Sequence, residues 1–204
     1  EINQVTGAPL VYTNQDFTPL LDFMGVSEIS SSGAPFEWEP RANFMPMVTI
    51  GQKPVLVDEP SAMAAFAQKS MDFRKVALLA AGLSNQVSAA AQPDARIIST
   101  NFSNQRISIQ TETPSPSLLV VAQTYYPAWK AYVDGKPTPL WKANYAFQSL
   151  QVPSGRHTVE LRYEDNLFRA GIVLSGCGLA ACIALWVIPG RQKGRTQESA
   201  STVC

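Results

Sequence analysis

The sequence predicts a mainly β protein: an antiparallel β-sandwich of Ig-like or jelly-roll-like kind, preceded by a small α+β segment and followed by one C-terminal transmembrane helix. Three observations carry this reading. Across residues 94–164, short runs rich in Val, Ile, Leu, Tyr and Trp alternate with turn residues, the spacing expected of a sandwich. Ahead of them, residues 41–80 read strand, helix, strand. After them, residues 170–188 carry no charge and extend about 28 Å as a helix, close to the hydrocarbon thickness of a bilayer.

Residues 1–40 are weakly patterned, with one short apolar element of Leu20, Leu21, Phe23, Met24, Val26 and Ile29 around Gly25. The small α+β subdomain, residues 41–80, has strand-like runs at 47–50, 54–57 and 75–80, and a helix of alanines and Phe66 opened by Pro60 and Ser61. Residues 81–93, rich in Ala, Ser, Asn and Gln and ending at Pro93, read as a linker. The sandwich then predicts about seven strands, at 96–102, 106–111, 118–122, 129–133, 138–141, 146–152 and 157–163. Within them Ile107 and Ile109 share one face, as do Val159 and Leu161, whereas the unbroken run Leu118 to Ala122 suits a strand buried on both faces. Asp134 followed by Gly135 is a two-residue hairpin signal, and Pro153, Ser154 and Gly155 make another turn.

The charge pattern orients the span. Sixteen basic and sixteen acidic residues cancel, so no global field draws the chain to nucleic acid or another polyanion. Locally, the tail at 189–204 has three basic residues, Arg191, Lys193 and Arg195, against one acidic residue, Glu198, which predicts a cytoplasmic tail and an extracytoplasmic bulk. Cys177 and Cys182 fall inside the apolar stretch and Cys204 ends the chain, so the exported part holds neither a disulfide framework nor a cysteine zinc site. The start at Glu1 shows no export signal. The chain therefore reads as the C-terminal piece of a longer polytopic protein.

The segment 125–176 combines Tyr-Tyr-Pro-x-Trp, Asp-Gly, Asn-Tyr-Ala-Phe, Pro-x-Gly-x-His and Arg-Tyr, in that order, before a hydrophobic helix. It resembles the C-terminal portion of YfhO-like bacterial membrane proteins, and residues 41–79 resemble the segment preceding it there. The resemblance implies a multi-spanning glycosyltransferase of the GT-C type in the bacterial plasma membrane. Such a protein takes sugar from a polyprenyl-phosphate carrier and passes it to a cell-surface polymer. Its catalytic carboxylate is implied in an early extracytoplasmic loop with no counterpart here, so no catalytic residue is carried over and no cofactor is expected. The partners implied are the lipid bilayer, the parent protein's other membrane helices, the carrier-linked sugar and the polymer. The rival reading is a membrane-anchored β-sandwich that binds glycan or protein without catalysis.

Candidate sites are few. His157, the single histidine, follows a turn and starts a strand, a structural position, and one histidine supplies no metal site. Tyr125, Tyr126, Trp129, Trp141 and Tyr145 have faces that suit stacking on sugar rings, but aromatics equally fill cores and anchor at membrane interfaces. Asp134 has sufficient reason in its hairpin. Gly171, Ser175, Gly176 and Gly178 form a small-residue stripe on which another helix of the parent protein packs closely.

Overall fold

The computed structural model describes residues 18–30, 36–58, 60–61 and 71–187. Two compact units make up the chain, residues 1–164 and residues 165–204.

The first unit is mainly β. Its N-terminal part holds helix α1 (Thr18–Phe23) and a hairpin of β1 (Glu28–Ser30) and β2 (Trp38–Pro40). Arg41 ties the helix to the chain that leaves it, donating to the carbonyls of Val26 and Thr18 and to the Asp22 carboxylate. Strands β3 (Val48–Ile50), β4 (Lys53–Val57) and β5 (Val76–Ala80) follow. β4 and β5 pair in parallel, as a strand, helix, strand order requires. Of the expected intervening helix, Pro60 and Ser61 are helical and residues 62–70 lie outside the described residues.

Eight strands occupy the sandwich segment: β6 (Arg96–Ser103), β7 (Arg106–Thr113), β8 (Ser117–Thr124), β9 (Trp129–Val133), β10 (Lys136–Thr138), β11 (Trp141–Ala143), β12 (Phe147–Val152) and β13 (Gly155–Tyr163). The single strand expected at 138–141 is two short ones. Between them the chain passes from one sheet to the other, through Pro139, which has no N–H to give to either ladder. One sheet runs β10-β9-β13-β7-β6, and the other runs β3-β8-β12-β11-β5-β4. The strands of the supposed subdomain are thus members of the second sheet, with β3 beside β8 and β5 beside β11.

Period-2 patterning explains the core. Ile107 and Ile109 of β7, Trp129, Ala131 and Val133 of β9, and Val159 and Leu161 of β13 meet Val48, Leu119, Val121, Leu150 and Val152 of the second sheet. The alternate residues of β8, Leu118 and Val120, face the other way and join Ala77, Leu79, Trp141 and Ala143 in a second cluster. The second sheet is therefore buried on both faces, as the apolar run of β8 predicted. Phe23 of α1 reinforces that outer layer, stacking on Phe147 at 5.0 Å and meeting Phe73 at 4.5 Å.

Residues 81–93 complete the outer layer and are tightly held. Leu83, Val87 and Ala89 pack against the second cluster. The Gln151 side-chain carbonyl accepts the Ser88 and Ala89 N–H groups at 2.9 and 3.0 Å, and its amide donates to Ser88 Oγ at 2.8 Å. Gln92 N–H bonds Gly51 O at 2.8 Å. Gly51 has φ of +86°, and a Cβ there would lie 2.1 Å from the Gln92 carbonyl oxygen, so only glycine permits this approach.

The second unit, among described residues, is helix α2 (Asn166–Val187), 22 residues long and wholly exposed within the chain. It begins four residues before the uncharged stretch, because Asp165 serves as its N-cap: Oδ1 accepts the Phe168 N–H at 2.9 Å. It is apolar along most of its length, and 22 residues extend about 33 Å, enough to cross a bilayer with some tilt. The basic tail lies outside the described residues.

Candidate functional site

A groove of about 440 Å³ opens along strand β9, lined by Tyr125, Pro127, Trp129, Lys130, Tyr132, Pro137, Thr138 and Glu164 among others. Three local causes shape it. The turn at 125–128 returns the chain into β9, closed by Trp129 N–H to Tyr126 O at 3.0 Å. The β9–β10 hairpin, with Asp134 at φ +49° and Gly135 at +77°, has the double positive φ of a type I′ turn and places Pro137 opposite Tyr132. Finally, Glu164 is fixed after β13 by its own N–H on Ala128 O at 2.8 Å.

Tyr132 is the polar centre of this groove. Its hydroxyl donates to Glu164 Oε1 at 3.1 Å, and the Arg162 guanidinium lies 4.5 Å from its ring centroid. Desolvation first, and the Glu164 carboxylate second, raise the phenol pKa from its ordinary value, so it remains a neutral donor. Lys130 Nζ bonds Pro127 O at 2.9 Å. Trp129 meets Tyr163 edge-on at 5.6 Å, and Tyr163 stacks with Tyr126 at 6.3 Å. The arrangement offers aromatic and proline side chains beside a carboxylate, an ammonium and the hydroxyls of Tyr125, Tyr132 and Thr138. Apolar rings flanked by convergent polar groups are what a pyranose, with its C–H faces and hydroxyl rim, requires.

The sequence-selected aromatics divide. Tyr125 and Trp129 line the groove, although Trp129 is only 8% exposed. Tyr126 adjoins it through Tyr163 and is 54% exposed. Trp141 is packed in the outer cluster of the second sheet. Tyr145, exposed and at φ +70°, belongs to the β11–β12 hairpin, with Lys142 Nζ 5.6 Å from its ring. Lys130, Thr138 and Glu164 were not selected from sequence. Alternation through Trp129, Ala131 and Val133 marks Lys130 and Tyr132 as outward, but nothing in it shows that Pro137 and Glu164 converge on them.

Residues 59–175 match the family described as bacterial membrane protein YfhO, a match covering more than half of the 204 residues. The chain belongs to the YfhO family. It is accordingly a membrane protein, and α2 supplies a helix of the right length and composition for a span. No curated protein and no solved structure matches it.

The motif residues that pointed to the YfhO family contact one another. Asp134 of the Asp-Gly turn accepts the Thr158 N–H at 2.9 Å through Oδ1 and binds His157 Nδ1 at 2.6 Å through Oδ2. The other His157 nitrogen, Nε2, is 3.0 Å from Ser154 O. A carboxylate and a backbone carbonyl can only accept, so both contacts are satisfied together only by the imidazolium form of the ring. In that form neither nitrogen keeps a lone pair for base catalysis. The bond to Asp134 first, and the Ser154 carbonyl second, raise the His157 pKa, while the same bond to His157 is the leading cause of the lowered Asp134 pKa. His157 thus clips the β9–β10 hairpin to β13.

The sign of the pH effect follows. A histidine pKa raised above 6.5 gives stabilisation that is complete below that value and is lost as pH rises through the folded pKa. The Asp134 contribution is lost only as pH falls through its lowered pKa, below 3.8. We expect the urea-midpoint advantage of the wild type over His157→Gln to be complete at acid pH and to shrink as pH is raised above 6.5. A pH-independent difference would show that the ring is neutral in the folded protein.

In helix α2, Gly171, Gly176 and Gly178 are open: beyond the helix's own neighbouring backbone, a Cβ at any of them would meet nothing within 4 Å among the described residues.

Proposed function

We propose that this chain is the extracytoplasmic C-terminal region and last membrane helix of a polytopic YfhO protein, a glycosyltransferase of the GT-C type. The enzyme uses a polyprenyl-phosphate-linked sugar and modifies a cell-surface polymer. On this reading the groove at Tyr132 and Glu164 holds a glycan unit of acceptor or product, while the reacting groups belong to other parts of the enzyme. The tail after α2 is cytoplasmic, by its basic excess. The stripe of Gly171, Ser175, Gly176 and Gly178 packs on another helix of the same protein.

The observation that carries this reading is the groove itself. It combines aromatic side chains with Glu164, Lys130 and Tyr132, and Glu164 stands two residues before the first residue of α2. Chain connection alone therefore keeps part of its lining near the membrane surface, where a carrier-linked sugar is presented. The test is sugar incorporation into polymer by membranes containing the complete protein, at matched protein levels. Tyr132→Phe removes the charge-assisted hydrogen bond between the two residues, and Glu164→Gln removes its charge, both while keeping shape. Each should raise the acceptor KM about tenfold, the equivalent of roughly 1.4 kcal/mol, with kcat nearly kept. Unchanged transfer kinetics in both variants would remove the groove from the reaction.

A membrane-anchored glycan-binding module without catalysis is the second reading. Among the described residues, Glu164 is the one carboxylate lining the groove, and it is engaged by a phenol rather than paired with a second acid. Oligosaccharide binding by the complete protein, with no transfer from any carrier-linked sugar, would favour it.

A further inference from the structure

The outer face of the five-stranded sheet carries a line of like charges. Antiparallel register sets Arg162 of β13 directly opposite Arg106 of β7 on one side and Lys130 of β9 on the other. Neighbouring strands are about 4.8 Å apart, so the backbone positions of the three basic residues lie abreast within about 10 Å. Like charges directly opposite one another destabilise a sheet. Glu160 offsets part of that repulsion. Its carboxylate binds both Arg106 and Arg162, and its side chain, 14% exposed, lies beneath them. The two guanidiniums hold that carboxylate below its ordinary pKa, so it stays ionised. The arginine side chains remain 54% and 40% exposed, and Lys130 is exposed as well. Glu164, the next carboxylate, is occupied by the Tyr132 hydroxyl. The phenol's hydrogen bond leaves the Glu164 charge in place, so three cations stand against two carboxylates, and the line keeps one net positive charge toward solvent.

Its place in the chain indicates what it faces. Arg162 precedes Asn166, the first residue of α2, by four residues. At no more than about 3.6 Å per residue, the two are within about 14 Å in any conformation of the connection. Tyr126, 54% exposed, is stacked on Tyr163, the residue after Arg162. Basic side chains with tyrosines beside the end of a span form the composition that settles at lipid headgroups.

We propose that the line of Lys130, Arg162 and Arg106 docks on the anionic phospholipid headgroups of the bilayer that α2 crosses. This goes beyond the glycan reading and does not depend on it, because no sugar is needed for docking. The surface holds the end of the sandwich against the membrane by charge, and its grip weakens with salt.

The whole chain in lipid nanodiscs tests this through the acetylation rate of individual lysines, read by mass spectrometry. In discs with about 30% phosphatidylglycerol, Lys130 should react about tenfold more slowly than in phosphatidylcholine discs, and the protection should fade as salt is raised. Lys136 and Lys142 serve as internal references and should change little. The Arg106→Gln, Arg162→Gln double variant should lose most of the Lys130 protection while keeping the wild-type circular dichroism. Equal Lys130 rates in the two lipids, in the wild type, would overturn the proposal. So would protection produced in phosphatidylcholine discs by inorganic phosphate alone, which would mark a discrete phosphate site instead of a lipid surface. Neither outcome bears on the acceptor KM effects of Tyr132→Phe and Glu164→Gln.

Discussion

Truncation of Leu118 to Ala and of Leu119 to Ala should each lower stability by about 2–5 kcal/mol, although the two side chains point to opposite faces of one strand. Both are fully buried. Leu119 belongs to the core between the sheets, and Leu118 to the outer cluster with Leu79 and Trp141. In a sheet with one solvated face, one of the two changes would cost well under 1 kcal/mol, since exposed truncations seldom matter. Here each removes contacts and leaves a cavity in a packed layer. Urea unfolding of the chain in detergent measures both, with Thr100→Ala on the exposed edge strand β6 as the reference, expected within about 0.5 kcal/mol. A small effect at Leu118 alone would mean that residues 81–93 and Phe23 form no true second layer.

Asn144→Ala should be comparably damaging, at about 2–4 kcal/mol. Asn144 is 2% exposed and has φ of +47°. Its Oδ1 accepts the Leu78 N–H at 2.8 Å, and its own N–H donates to Leu78 O at 2.8 Å. One residue thus presents a donor and an acceptor to β5, continuing the ladder that Ala143 begins opposite Leu79. Alanine leaves a buried N–H without an acceptor, which costs about 1–3 kcal/mol, and adds the left-handed penalty of about 1 kcal/mol. Asn144→Gly separates the two contributions: it restores the conformation but not the acceptor, and should recover only the smaller part. Full recovery by glycine would show that the side-chain bond contributes little.

The local chemistry of the sandwich was legible because its strands obey period 2 and its turns carry strong signals. Asp134 with Gly135 fixed the type I′ hairpin, and the apolar run of β8 announced burial on both faces. The span was legible from the missing charges, though its start was not: Asp165 caps the helix and Arg169 lies within it, so the helix begins before its apolar stretch. Less legible were the long-range partners. Residues 81–93 look like a tether because Ala, Ser, Asn and Gln have no period, yet Gln151, some sixty residues away, satisfies their backbone. Likewise the strands at 48–57 and 76–80 read as a unit of their own, since nothing local states that β3 lies beside β8. For the groove, aromatic content pointed to the right stretch, but its polar centre, Tyr132 with Glu164, depends on a turn and two strands meeting.

The threading of β3, β4 and β5 into the second sheet has a practical consequence for handling this protein. The family match begins at residue 59, downstream of β3 and β4. A polypeptide cut at that boundary would bare the β8 edge along Leu119, Val120 and Val121, and the β5 edge along Ala77, Leu78 and Leu79. Both are apolar rows of unpaired amides and carbonyls, the kind of edge that recruits a second chain. Pieces begun after β4 should therefore collect as aggregates, while those that retain residue 48 onward keep both edges capped and stay in solution as discrete particles in detergent.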